Sequence, residues 1–197
     1  MKHNKFTPLQ NFDISSQKRA QIKNQEPKCI WLTGLSGSGK STLANALDKE
    51  LTKMGMHTCI LDGDNIRNGL CSDLKFDDKD RHENIRRVAE VSRLMFDAGL
   101  IVICAFISPF QRDRDFARSL FSDEDFIEVF VDTPMDVIIE RDPKNHYQNA
   151  QNGLIKNFTG LDSDYETPEN SEIVIDTEKI SVDESIDQIK KYLGVLQ

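Results

Sequence analysis

Cysteine is scarce in this chain and is not arranged for chemistry: Cys29, Cys59, Cys71 and Cys104 form neither a C-x-x-C pair nor a metal-ligand spacing among the 197 residues. Cys29, Cys59 and Cys104 fall in apolar runs that read as strands, where a thiol behaves as a small buried hydrophobe. Reduced core thiols are therefore expected rather than a redox pair. Long hydrophobic runs are lacking too. No stretch approaches the length of a membrane span, and the opening Met1-Lys2-His3-Asn4-Lys5-Phe6 lacks the apolar centre of a signal peptide. The expectation is a cytoplasmic protein with no membrane partner. Positive charge is also in short supply, with 25 Lys and Arg against 33 Asp and Glu and a formal net charge of -8. A nucleic-acid polymer is an unsuitable partner for such a balance, because its binders present a basic face. Any anion must be held by local cations. There is no internal repeat or low-complexity tract, and 38% hydrophobic residues suffice for one globular domain with a sizeable core.

What is present is a phosphate-binding loop. Gly34-Leu35-Ser36-Gly37-Ser38-Gly39-Lys40-Ser41-Thr42 follows the apolar run Cys29-Ile30-Trp31-Leu32 and matches G-x-x-x-x-G-K-[ST] between an expected strand and an expected helix. A polyphosphate needs several backbone N–H groups converging on it, and Gly34, Gly37 and Gly39 allow the main chain to bend and approach that closely. Lys40, at the helix start, supplies a point charge for the β- and γ-phosphates, and the Ser41 hydroxyl completes a Mg²⁺ shell. The loop implies nucleotide binding without specifying a reaction.

Apolar β-rich runs recur at residues 29–33, 58–61, 100–106, 126–131 and 172–175, separated by stretches of helical character. This alternation predicts a three-layer α/β fold, a mostly parallel sheet with helices on both faces. The clearest helix runs from Asp78 to Ala98, with Ile85, Val88, Val91, Met95 and Ala98 on one face and Gly99 ending it. Residues 1–26 lack a sustained period and read as an arm packed on the domain or on a neighbour, leaving 27–197 as the domain proper. The polar stretch 142–167 interrupts the alternation and reads as a mobile lid.

In such sheets ligands sit beyond the carboxyl ends of the strands. After the second strand, Asp62-Gly63-Asp64-Asn65-Ile66-Arg67 places two carboxylates, an amide and a guanidinium opposite the loop; after the third, Phe106-Ile107-Ser108-Pro109 supplies a hydroxyl and an aromatic ring. Turn and N-cap chemistry is the alternative account of Asp62 and Asp64, but opposite a phosphate loop the functional account is preferred. Arg81 and Asn84 share a helix face, for which a solvated surface is the ordinary account, as it is for Arg86, Arg87 and Arg93.

Together these blocks resemble the adenylyl-sulfate (APS) kinase family from about Lys28 to Thr177. The resemblance adds Glu83-Asn-Ile-Arg-Arg87, Asp113-Arg-Asp115, Glu140-Arg-Asp-Pro-Lys144, Phe158-Thr-Gly160 and Tyr165-Glu166 to the motifs above. It implies phosphoryl transfer from MgATP to the ribose 3′-hydroxyl of adenosine 5′-phosphosulfate, giving 3′-phosphoadenosine 5′-phosphosulfate (PAPS). It also implies an acceptor site of Arg67, Phe76, Arg81, Asn84, Phe106, Ile107, Lys144 and Phe158, shaped by Asp64 and Asn65, with the ATP base near Arg141 and Thr177. A homodimer and a functional link to a sulfurylase belong to the same implication.

Asp62 is the candidate to orient the 3′-hydroxyl or hold metal-bound water, and with Ser41 it is the candidate metal ligand. Family descriptions assign a phosphoserine to the position of Ser108, but the loose transition state of phosphoryl transfer favours direct in-line transfer. Three features depart from the family pattern: Asn68 where His is common, Lys75 before the aromatic residue where Gly is common, and Gln148, Asn149 and Gln151 where the lid usually carries cations. A 3′-hydroxyl kinase for another activated nucleotide, such as cytidine diphosphoramidate, and a non-catalytic ATP-binding switch are the competing readings.

Overall fold

The computed structural model describes residues 10, 12–142, 145–155 and 157–195. Five parallel strands, β1 (Cys29–Thr33), β2 (Thr58–Asp62), β3 (Ile101–Ala105), β4 (Phe126–Asp132) and β5 (Ile173–Asp176), lie in the order β2-β3-β1-β4-β5. The central strands β1 and β3 are buried along their whole length, as expected of parallel strands covered on both faces.

Alternate side chains of these strands feed two cores. One face packs Ile30, Leu32, Ile103, Val129 and Ile175 against α2 (Lys40–Lys53), through Leu43, Leu47 and Leu51, and against α8 (Val182–Tyr192), through Ile186 and Ile189. The other packs Cys29, Trp31, Val102, Cys104 and Phe126 against α4 (Asp78–Asp97), through Ile85, Val88, Ala89 and Phe96, and against Ala117 of α5 (Gln111–Arg118). The sheet and its helical layers thus match the expected architecture, and the observed strand bounds differ from the expected ones by a residue or so. Cys29, Cys71 and Cys104 are buried, and all four cysteines are free thiols.

Polar side chains set the helix starts. Asp77 accepts from the Asp80 amide to open α4, and Ser181 with Glu184 forms a capping box on α8. Gly99, with φ of +83°, closes α4. It is also pressed against the arm, since a Cβ there would lie 2.8 Å from the Ala20 amide nitrogen. Residues 15–25, which include α1 (Ser16–Ile22), are fastened to their own domain: Lys23 Nζ donates to the Ala98 carbonyl at 2.8 Å and Gln25 Nε2 to the Gly99 carbonyl at 2.8 Å. Among the described residues no helix is long and apolar enough to cross a membrane.

Candidate active site

The glycine-rich loop leaves the carboxyl end of β1 and enters α2 at Lys40, with Gly39 as its N-cap at φ +105°. It is braced from below. Thr133 Oγ1 donates to the Ser38 carbonyl at 3.1 Å and pairs with Thr177 Oγ1 at 2.6 Å. Lys40 is buried and folds over the loop, donating to the carbonyls of Gly34 at 2.9 Å and Leu35 at 2.6 Å. The next carbonyl along, that of Ser36, accepts from Tyr147 Oη at 2.9 Å, and burial, which raises the Tyr147 pKa to about 12, keeps that phenol a donor. Ser41 and Thr42 stand exposed in the first turn of α2.

Ser41 Oγ donates to Asp62 Oδ2 at 2.6 Å, while Asp62 Oδ1 accepts from the Asp64 amide at 3.1 Å and caps α3 (Gly63–Arg67). One carboxylate therefore both caps a helix and faces the loop, the two accounts that the sequence left as alternatives. Arg141, at the end of α6 (Met135–Arg141), holds Thr177 through Nη1 to its hydroxyl and Nη2 to its carbonyl, both at 3.0 Å. The Thr177 methyl lies 4.0 Å from where a Gly39 Cβ would be, so Arg141 and Thr177 stand at the rim of the loop.

The helix face of Arg81 and Asn84, expected to face the acceptor, is not a solvated surface: the two residues are 8% and 3% exposed. Arg81 Nε donates to the Phe76 carbonyl at 2.8 Å, and its Nη atoms reach the Thr159 hydroxyl and the Asn157 carbonyl. Arg67 stacks its guanidinium 4.3 Å from the centre of the exposed Phe76 ring. Burial lowers the pKa of both arginines, and the Arg67 charge lowers that of Arg81 further. Two partly desolvated like charges so placed favour an anion. Asn84 Oδ1 is buried with no hydrogen-bond partner among the described residues, which leaves an acceptor for a ligand N–H or O–H.

Phe106 lies stacked on Trp31 at 5.9 Å and against Gly63, and the Ile107 carbonyl accepts from Thr33 Oγ1 at 2.8 Å. Asp64 and Asn65 are exposed on α3. Phe158 is buried edge-on to Tyr147 at 4.8 Å. Lys144 lies outside the described residues. Arg86, Arg87 and Arg93 do form surface ion pairs, with Glu83 at 2.7 Å, Asp73 at 2.7 Å and Asp97 at 2.8 Å. Hydrogen bonds from Arg86 and Arg87 hold the Glu83 pKa down to about 2.

The stretch expected to be a lid carries α7 (His146–Gln151) and is seated on the loop. Its Thr159 meets Arg81, and the neighbouring Gly160 would place a Cβ 3.0 Å from Leu35. The glycine-rich loop and α4 are thereby joined through two consecutive residues of the expected lid. Ser108 takes an unexpected position: 1% exposed at φ +40°, its Oγ accepts from Trp31 Nε1 at 3.1 Å and donates to Thr33 Oγ1 at 2.9 Å. Its hydroxyl is thus committed to the interior. Sequence reasoning passed over Thr33, Thr133, Asn157 and Thr159, neutral groups whose roles come from loops distant in the chain.

Residues 26–176 match the adenylylsulphate kinase family model. The chain belongs to the adenylylsulphate kinase family. It is 56% identical over 180 residues to the adenylyl-sulfate kinase of Marinobacter nauticus, covering 91% of this chain and 90% of that one. A bifunctional enzyme NodQ of a Rhizobium species is 56% identical over 185 residues, which make up 94% of this chain but 29% of that protein. Among solved structures, the Mycobacterium tuberculosis APS kinase in complex with AMPPNP and APS aligns with a TM-score of 0.83 at 42% identity, covering 86% of this chain and 98% of that one. The protein is a P-loop kinase.

Proposed function

We propose that this kinase transfers the γ-phosphoryl group of ATP to the ribose 3′-hydroxyl of adenosine 5′-phosphosulfate, giving PAPS and ADP. The observation that carries the reading is the single lid segment, Thr159-Gly160, that touches Arg81 on one side and Leu35 of the phosphate loop on the other. It supports one enclosure containing both nucleotides. In this reading the loop amides and Lys40 grip the β- and γ-phosphates, and Arg141 with Thr177 flanks the ATP base. Arg67 and Arg81 take the phosphate-sulfate group, and Phe76, Phe106 and Phe158 offer faces and edges to the acceptor base. Asn84, Ile107, Asp64, Asn65 and Lys144 complete the acceptor pocket.

A divalent cation fits the Ser41–Asp62 pair, whose hydroxyl and carboxylate oxygens lie 2.6 Å apart. Among the described residues no group of three His, Cys, Asp or Glu could hold a metal; Mg²⁺ is bound mostly by phosphates and water and asks for only one or two protein oxygens. When bound, it neutralises charge developing on the transferred group. Asp62 also stands where it can orient the 3′-hydroxyl. In-line transfer then needs no enzyme nucleophile, and we assign Ser108 a supporting role at the acceptor edge. The cytoplasm, a homodimer and cooperation with a sulfurylase complete the proposal.

An acceptor screen with MgATP tests the activity. APS-dependent release of ADP with formation of PAPS is expected. Preference for cytidine diphosphoramidate would replace the acceptor, and tight ATP binding with no turnover of any 3′-hydroxyl nucleotide would favour the switch. For Ser108→Ala, kcat is expected to stay within about tenfold of wild type, while leaving Trp31 Nε1 without its acceptor costs about 1–3 kcal/mol of stability. Loss of all turnover in a folded Ser108→Ala enzyme would instead restore a covalent route.

A further inference from the structure

One buried cation joins the acceptor edge to the returning stem of the lid. Arg114, on α5, is 1% exposed. From Nη1 it donates to the Ser108 carbonyl at 2.8 Å, and from Nη2 to the Glu166 carbonyl at 2.7 Å and to Gln111 Oε1 at 2.6 Å. Its Nε lies 2.9 Å from Glu128 Oε1 on β4. The second Glu128 oxygen is 3.3 Å from Arg118, which forks onto Glu172. Burial pushes the Glu128 carboxyl up and Arg114 pulls against that shift.

Two facts distinguish this arrangement from an ordinary core ion pair, which an apolar pair could replace at little loss. First, both main-chain partners belong to ligand-facing segments. Ser108 sits at φ +40°, a conformation that a non-glycine residue keeps only when its surroundings enforce it, and it directly follows Phe106 and Ile107. Second, the lid stem is stitched to the same turn by two further bonds and to the end of β1 by a third. The Glu166 amide donates to the Pro109 carbonyl at 2.8 Å, the Gln111 amide to Glu166 Oε2 at 2.5 Å, and Tyr165 Oη pairs with Thr33 Oγ1 at 3.0 Å. Only a planar fork with several donors bonds two carbonyls at once while keeping its charge beside a carboxylate, here an ion pair without a hydrogen bond between Nε and Oε1.

We propose that Arg114 is a positioning residue for the acceptor: by bonding the carbonyls of Ser108 and Glu166 together, it sets where the lid leaves the Phe106–Ile107 edge. It does so without touching either nucleotide. The effect on kinetics rests on the reading of this protein as an APS kinase.

Two variants test it. Arg114→Lys keeps a positive charge opposite Glu128 but cannot bridge both carbonyls; Arg114→Gln combined with Glu128→Gln removes the charges as a pair and leaves no lone buried ion. In both, KM for APS is expected to rise about tenfold or more while KM for ATP stays within about twofold. Hydrogen exchange of the Glu166 amide should quicken about tenfold while the β1 and β4 amides keep their protection. A purely structural role would lower stability and leave the KM for APS of the folded fraction unchanged, and that result overturns the proposal. So does unaltered exchange at Glu166 in either folded variant. A wild-type enzyme inert towards APS would defeat the functional reading instead, and exchange at Glu166 would then decide the latch by itself.

Discussion

Asp62→Asn is expected to lower kcat by about a hundred- to a thousandfold while leaving the fold intact and ATP affinity within about threefold of wild type. The two oxygens of the Asp62 side chain have separate partners. Oδ1 caps α3 by accepting from the Asp64 amide at 3.1 Å, and Oδ2 accepts from Ser41 Oγ at 2.6 Å. Asparagine caps a helix as well as aspartate does, so the first contact survives. The second loses its negative charge, and with it the charged acceptor for Ser41 Oγ and the proposed hold on a cation and on the acceptor hydroxyl. The loop amides and Lys40, proposed above to grip ATP, are untouched.

Asp62→Ala adds a separate effect. Losing the cap costs about 1 kcal/mol and loosens a helix only from Gly63 to Arg67, which carries in its last turn the arginine proposed for the acceptor site. The alanine enzyme should therefore show a raised KM for APS in addition to the lost kcat, and the asparagine enzyme only the lost kcat. Steady-state kinetics on the pair, with calorimetric ATP binding, checks both statements. Wild-type turnover in Asp62→Asn would remove the charge from the mechanism.

The parts of this molecule that were legible in its sequence are those governed by short-range regularities. The phosphate loop is fixed by glycines at set offsets, the strands by buried apolar runs, and α4 by a three- and four-residue apolar rhythm ending at Gly99. The α4 arginines show where that legibility stops. Arg81 and Arg86 are chemically alike and five residues apart, yet Arg81 is buried under the lid while Arg86 pairs with Glu83 on the surface. Five residues place them about 140° apart around the helix, with Arg81 in line with Ile85 and Val88, but what covers Arg81 is the lid, which has no periodicity to read. The family resemblance supplied Arg81 where pattern alone favoured a solvated face. Arg114 is the opposite case. It lies in a recognised block, Asp113-Arg-Asp115, but its function comes from Glu128 and Glu166, brought to it by the sheet and by the lid stem. Ser108 likewise reads as a hydroxyl at a strand end, whereas its positive φ turns that hydroxyl towards Trp31 and Thr33.

Gly34→Ala is the substitution expected to damage nucleotide binding most, and the comparison with Gly55→Ala isolates the reason. Both glycines have positive φ, +151° and +81°, so alanine strains the backbone at either position by about 1–2 kcal/mol. At Gly55 an added Cβ meets nothing within 4 Å. At Gly34 it would stand 2.5 Å from the Val131 carbonyl oxygen and 2.9 Å from Ser38 Oγ. The serine can rotate, but the carbonyl belongs to β4, which is held between β1 and β5 and cannot retreat without breaking a parallel ladder. The loop must move instead. Overpacking of this kind costs about 1–3 kcal/mol, and added to the strain it is a large share of a typical stability of about 5–15 kcal/mol. The loop's displacement also releases the Gly34 and Leu35 carbonyls from Lys40, so the amide cradle and its cation lose register together. ATP affinity should fall at least about a hundredfold in Gly34→Ala, equivalent to about 2.7 kcal/mol, and remain near wild type in Gly55→Ala. Calorimetry and denaturant titration on the two variants separate loss of binding from loss of fold. Wild-type ATP affinity in Gly34→Ala would mean that close approach of the loop to β4 does not shape the phosphate site.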